Sequence, residues 1–246
     1  MVNKADGTRL YEQVAQSISS KIASGEYPVG QRLPAERHLA QAYSVSRPTV
    51  REAIIALELD GLVEVRQGSG VYVMASTPNG GRASETDIGP FELLEARRAI
   101  ESEACALAAP RITDDELAEL TALVGEMQSD DVARSEDADR RFHVAIARAT
   151  QNSAMTASVE MLWDARARSP QYRLLSDKAH QAGVTPRVAE HAVILDALRT
   201  RDADTARTAM RNHLSNVLES ILEATEVHEL EQARARVAAH RKRYAG

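Results

Sequence analysis

The sequence predicts a mainly α protein in two parts: a small N-terminal unit of three helices and a β-hairpin, then a larger unit made of helices alone. Three observations carry this reading. Apolar residues recur every three to four positions along most of the chain, the one β-rich stretch lies between Leu62 and Met74, and a run of Ser, Thr, Pro, Asn and Gly separates the parts after Ala75. A chain of 246 residues exceeds the usual size of one domain. Its 4% aromatic content, beside abundant Ala, Leu, Arg and Glu, favours helix.

Leu10, Val14, Ile18 and Ile22 recur every four residues and form one side of a first helix, which the Gly25-Glu26-Tyr27-Pro28 breaker ends. After Gly30 and Pro34, Ala35 to Tyr43 reads as a short second helix. The polar turn Ser44-Val45 follows. Ser46 is then placed to cap a third helix, with Pro48 in its first turn, where a missing N–H costs nothing. Val50, Ile54 and Leu57 make the buried stripe of that helix, and Gly61 ends it. Leu62 to Arg66 and Val71 to Met74 flank the turn Gln67-Gly68-Ser69-Gly70, which predicts a hairpin. Helix, turn, helix and hairpin in this order make a winged helix-turn-helix over residues 1–75, with a linker at 76–89.

Beyond Pro90 every long segment has helical periodicity. Leu93, Leu94, Arg97, Ile100, Ala104 and Leu107 share one stripe; Thr113 and Glu116 form a capping box before Leu117, Leu120 and Val124; Asp202 precedes a run to Leu222. These predict an all-helical bundle over residues 90–225. The tail at 226–246, with Arg234, Arg236, Arg241, Lys242 and Arg243, reads either as a further helix or as a solvated end.

The beginning of the chain has no apolar core of signal-peptide type, and nowhere do about 18 apolar residues run together. The expectation is a cytoplasmic protein with no membrane partner. Cys105 is the single cysteine, so no intrachain disulfide can form, and its alanine-rich surroundings suit a small buried residue. The net charge of −6 argues against a protein coated all over with positive charge for gripping nucleic acid, although an average can hide a local patch. Residues 1–76, however, hold eight Lys or Arg and eight Asp or Glu, so the negative excess lies wholly in the second part.

A helix-turn-helix presents one helix to the major groove while the wing reaches neighbouring backbone or the minor groove. The start of that helix is Ser46-Arg47-Pro48-Thr49-Val50-Arg51, where Arg47 and Arg51, one turn apart, flank the apolar stripe. An Arg there suits bidentate reading of guanine. Arg37 on the preceding helix is a further contact to phosphate or base; Ser46 and Thr49 suit phosphate, and Gly68 and Ser69 at the wing tip allow close backbone approach. A lone arginine pair is more often a solvated face; the surrounding pattern favours DNA.

These segments carry a resemblance. Tyr11-Glu12-Gln13-Val14, Gly25-Glu26-Tyr27-Pro28-Val29-Gly30, Leu33-Pro34-Ala35-Glu36-Arg37 and Ser46-Arg47-Pro48-Thr49-Val50-Arg51-Glu52-Ala53 are similar to the GntR family of regulators, and Gly68-Ser69-Gly70-Val71-Tyr72-Val73 extends the match. His38 departs from the pattern, which usually has Glu or a similar residue there. From Leu93-Leu94-Glu95-Ala96-Arg97-Arg98-Ala99-Ile100-Glu101 onward the chain resembles the helical effector-binding domain of the FadR subfamily.

Asp139 and His143 sit at i and i+4 on one predicted helix face, and His191 and His213 lie on separate later helices that can pack around it. Three His and one Asp suit a divalent transition metal, although spacing alone leaves capping, surface and core roles open. The FadR resemblance implies the metal, because Asp139, His143, His191 and His213 fall where metal-binding members carry their ligands. Zinc is the first expectation, with nickel and manganese as alternatives. The resemblance also implies that Arg97 clamps the carboxylate of a small effector; the other reading of Arg97 is an intrahelical pair with Glu101. Met161-Leu162-Trp163-Asp164-Ala165-Arg166 and Ser169-Pro170-Gln171-Tyr172 are similar to members regulating hexuronate use, which implies a sugar acid such as a uronate. Trp163 itself reads as a core or interface anchor.

Together these readings predict a repressor that is not an enzyme: a homodimer on near-palindromic double-stranded operator DNA, released or retained by a small carboxylic or sugar acid. Two rivals stand beside it. One is a metal-dependent enzyme acting on a sugar acid, with Glu190 as a conceivable base; the other is a DNA-binding protein that responds to no effector.

Overall fold

The structure is a computed structural model, which describes residues 9–66, 69–78, 88–181 and 188–225. Gly68, most of the expected linker and the 226–246 tail lie outside the described residues. Among the described residues the elements are α1 (Leu10–Ala23), α2 (Glu36–Tyr43), α3 (Arg47–Leu59), β1 (Val63–Arg66), β2 (Gly70–Val73), α4 (Pro90–Ala108), α5 (Asp114–Glu126), α6 (Val132–Ala149), α7 (Ser153–Arg168), α8 (Pro170–Gln181), α9 (Val188–Arg199) and α10 (Ala203–Thr225). Two compact units result. One comprises the described residues within Met1–Gly89, Pro170–Lys178 and Leu222–Gly246, the other those within Pro90–Ser169 and Ala179–Ile221.

In the first unit the buried face of α1 is Tyr11, Val14, Ile18 and Ile22. Leu10, expected in that stripe, is 41% exposed. It is the first helical residue, and Tyr11 at i−3 from Val14 takes the inward place instead. Those side chains pack with Leu39, Val50, Ile54, Leu57, Leu62 and Val73 into one core. The turn between α2 and α3 follows from two residues: Ser44 adopts the left-handed conformation that ends α2, and the Ser46 hydroxyl accepts a hydrogen bond from the Thr49 N–H at 3.2 Å to begin α3. The hairpin is antiparallel, pairing Val63 with Val73 and Val65 with Val71. Gly70 has φ +120°, and a Cβ there would stand 2.3 Å from Arg32 Nε, so glycine is required at this point of the wing.

In the second unit the Thr113–Glu116 capping box forms as expected, Asp131 caps α6 and Asn152 caps α7. Ile112, Leu120, Leu123, Phe142, Ile146, Ile194, Leu198 and Leu214 join α5, α6, α9 and α10 around one apolar core. A smaller cluster of Ala104, Val144, Ala147, Val159 and Trp163 joins α4, α6 and α7. Leu107, expected inward on α4, is 36% exposed, while Cys105 and Ala108 are fully buried. Polar side chains share this interior: Arg97, Glu101, His143, His191 and His213 are each at most 4% exposed. Buried ionisable groups on this scale need partners, and the partners lie in one cluster.

Candidate metal centre and DNA face

Asp139 and His143 stand one turn apart on α6, His191 is in the first turn of α9, and His213 is midway along α10. Each offers one ligand atom, and these atoms all lie within 4.8 Å of one another. The rings of His191 and His213 are 4.4 Å apart between centroids, and those of His143 and His213 are 5.4 Å apart. His191 Nε2 lies 2.9 Å from Asp139 Oδ1. Three imidazole nitrogens and a carboxylate oxygen, brought together from three helices, are the donor set and spacing that a zinc-like cation takes.

A second ring of residues sets the orientation of the first. His213 Nδ1 lies 3.0 Å from Glu190 Oε2, and Asn216 Nδ2 donates to Glu190 Oε1 at 3.0 Å. A carboxylate oxygen only accepts, so His213 carries its hydrogen on Nδ1 and keeps the Nε2 lone pair for the cluster. His143 has a carboxylate close to each ring nitrogen: Nδ1 lies 2.5 Å from Glu101 Oε2, and Nε2 lies 3.4 Å from Asp139 Oδ1.

Burial opposes charge on all these groups, yet the carboxylates stay ionised. Arg97 and His143 overcome the desolvation of Glu101 and hold its pKa down at about 2. His143 and His191 hold Asp139 well below the usual carboxylate range against its own burial. Burial likewise works against a proton on His143, but Glu101 and Asp139 raise it above its ordinary value. His213 is pushed down to about 4, chiefly by burial. The two carboxylates beside His143 therefore favour positive charge on its imidazole, in a place where a cation would sit.

Of the two readings of Arg97, the structure forms the intrahelical pair with Glu101. Its Nε donates to Glu101 Oε1 at 2.7 Å, the intrahelical pair, and its guanidinium lies 3.9 Å from the centre of the Trp163 ring at the edge of the cluster. Sequence reasoning did not assign Glu101, Glu190, Asn216, Trp163 or Arg166 to the site. By sequence Glu190 reads only as a conceivable base beside His191; the signal for its actual place is that residues 190 and 191 point about 100° apart, so each can meet a different helix.

On α2 and α3, Arg37 is exposed, and the Arg47 side chain is 51% exposed with its guanidinium 3.6 Å from Glu36. Ser46 and Thr49 are joined by a 2.7 Å hydroxyl contact, so part of their hydrogen-bonding capacity serves the helix cap. Ser69 at the wing lies 2.9 Å from the Tyr72 hydroxyl. Arg51 differs from the others: it is 5% exposed and its Nε donates to both oxygens of Glu36 at 2.9 Å. One helical turn separates Arg47 from Arg51, but Glu36 turns the second inward.

A winged helix-turn-helix coupled in one chain to an all-helical domain with a buried polar cluster defines a DNA-binding transcription regulator. Residues 10–73 match the bacterial regulatory proteins of the gntR family, and residues 92–216 match the FCD domain. The chain is 40% identical over 213 residues to the Exu regulon transcriptional regulator of Escherichia coli K12, covering 85% of this chain and 83% of that protein. It is 35% identical over 240 residues to the Uxu operon transcriptional regulator of the same strain, covering 94% and 93%. Among solved structures, Streptococcus agalactiae GntR is similar at 30% identity and a TM-score of 0.42, covering 85% of this chain and 99% of that one. The protein belongs to the GntR family, with a C-terminal FCD domain, and its relatives are regulators rather than enzymes. No helix among the described residues is long and apolar enough to cross a membrane.

Proposed function

We propose that this regulator is a homodimeric repressor whose FCD domain holds a divalent cation, zinc in the first place, on Asp139, His143, His191 and His213, and that a small sugar acid binds there to modulate operator affinity. The convergence of the four ligand atoms within 4.8 Å carries this reading. A four-donor site on a cation that accepts five or six ligands leaves room for an acid's carboxylate and hydroxyl. The likeness to the Exu and Uxu regulators supports a sugar acid such as a uronate.

In this reading residues 1–75 bind DNA, 76–89 link, and 90–225 sense and dimerise. Arg37, Ser46, Arg47, Thr49, Gly68 and Ser69 form the DNA face, where two protomers meet the half-sites of a near-palindromic operator. Arg51 joins them only when its pair with Glu36 opens. The cation would supply Lewis acidity toward a carboxylate; Glu101 and Glu190 orient His143 and His213, and Arg97 supplies a planar cation to the acid's oxygens. Effector binding alters operator affinity to the extent that the acid prefers one arrangement of the dimer.

The test is a thermal-shift screen of protein of known metal content against uronates, aldonates, lactate and dicarboxylates, repeated with His143→Ala and paired with release of operator DNA. A metal-dependent rise with a sugar acid, absent in the variant and accompanied by a change in DNA affinity, supports the reading. Protein that takes up no divalent cation overturns it.

A further inference from the structure

Trp163 is 1% exposed, and its indole N–H has no hydrogen-bond acceptor among the described residues. Indole nitrogen only donates, and a buried donor without an acceptor is uncommon enough in native structures to call for a partner. Its ring is 5.2 Å from that of His143, so it borders the four-ligand cluster. Two guanidinium groups lie against the same ring, Arg97 at 3.9 Å and Arg166 at 4.7 Å from its centre. Arg166 also reaches Asp139 Oδ2 at 3.5 Å and Glu136 at 3.8 Å, so α7 brings a second arginine to the ligand carboxylate.

The charges around the cluster then restrict what can bind. Glu136 is 41% exposed and screened by solvent; of the groups whose side chains are at most 18% exposed, Arg97 and Arg166 are positive, Glu101, Asp139 and Glu190 are negative, and ligating imidazoles are neutral. A divalent cation brings this set to a single positive charge. One carboxylate neutralises it; two leave a buried negative excess, which is costly where water is excluded.

We infer that Trp163 and Arg166 form a specificity-determining wall of the effector site, which selects a polyhydroxy monocarboxylate and places one of its oxygens against the Trp163 N–H. The inference rests on the metal and effector reading above. It adds two residues on α7 and excludes two classes of acid: dicarboxylates by charge, and plain carboxylates by the want of a second oxygen-bearing group for the indole.

Isothermal titration of the zinc-loaded full chain tests it, with D-galacturonate, D-glucuronate, D-gluconate, the dicarboxylate D-galactarate and acetate as probes. The wild type binds at least one of the three monocarboxylates more tightly than galactarate or acetate. Trp163→Phe keeps the ring and loses the donor; it weakens that best binder about tenfold while acetate affinity and zinc content stay at wild-type values. Arg166→Gln, which removes a guanidinium from the ring face but leaves the indole N–H in place, weakens the same acid and retains zinc. Wild-type affinity in Trp163→Phe, or galactarate binding as tightly as the monocarboxylates, overturns the inference while leaving the metal site standing. A wild type that takes up no zinc, or binds none of the acids, brings down the underlying reading instead.

Discussion

The Nδ1 atom of His143 lies 2.5 Å from Oε2 of Glu101, and the other oxygen of that carboxylate accepts a 2.7 Å hydrogen bond from Arg97. One buried acid thus contacts the His143 imidazole and pairs with the arginine at the edge of the cluster. Removing the charge from Glu101 disturbs both. Glu101→Gln is expected to weaken zinc affinity about 10- to 100-fold, measured by competition with a chromophoric chelator. Unaltered affinity would mean that Glu101 serves only to neutralise Arg97.

Metal binding is expected to stabilise the fold. At free zinc 100 times its dissociation constant the gain is about 2.7 kcal/mol, read as a rise in melting temperature. His143→Ala and Asp139→Ala should show no such rise. A comparable shift in both variants would place the metal elsewhere.

The metal-free protein should lose stability on mild acidification through His213. Its folded pKa is about 4, below the ordinary 6.5, so between those values the unfolded chain binds a proton that the folded chain refuses. Stability therefore falls as pH drops from 6.5 toward 4, by at most about 1.4 kcal/mol per pH unit from this group. His143 acts with the opposite sign: its raised pKa contributes stability below 6.5 that is lost as pH rises through the folded value. His213→Asn should flatten the acid slope in melts recorded across that window. A slope that stays the same would assign it to other groups.

Arg47 and Arg51 should separate by phenotype. Arg47→Ala is expected to cost roughly 1–3 kcal/mol at the cognate operator if its half-exposed side chain reads a base; an equal loss on random DNA would make it a phosphate contact. Arg51→Ala leaves Glu36 without the guanidinium that now meets both of its oxygens, so it should lower the melting temperature as well as DNA affinity.

Thr113 caps α5 by accepting from the Glu116 N–H at 3.2 Å, and Glu116 returns the bond to the Thr113 N–H at 2.7 Å. Thr113→Ala should cost about 1 kcal/mol in denaturant titration, with metal affinity unaffected.

The helices, their caps and the wing were legible in the sequence because they depend on neighbours in the chain: the three-to-four spacing of Val14, Ile18 and Ile22, the Ser46 cap, the Thr113–Glu116 box and the glycine turn before Val71. The exposed Leu10 and Leu107 show the limit, since a stripe gives the direction of a buried face but not where that face ends. Asp139 and His143 could be paired from sequence because one helical turn separates them. Their meeting with His191 and His213 was implied by the FadR resemblance and not by periodicity, because it depends on how α9 and α10 pack against α6, and packing is decided by side-chain shape across distant segments. Packing likewise decides the inward turn of Arg51 to Glu36, Glu190 holding His213, and the two arginines against Trp163. Each is a contact between residues that local periodicity leaves independent, and only the tertiary structure, by burying them together, required that their charges and hydrogen bonds be matched.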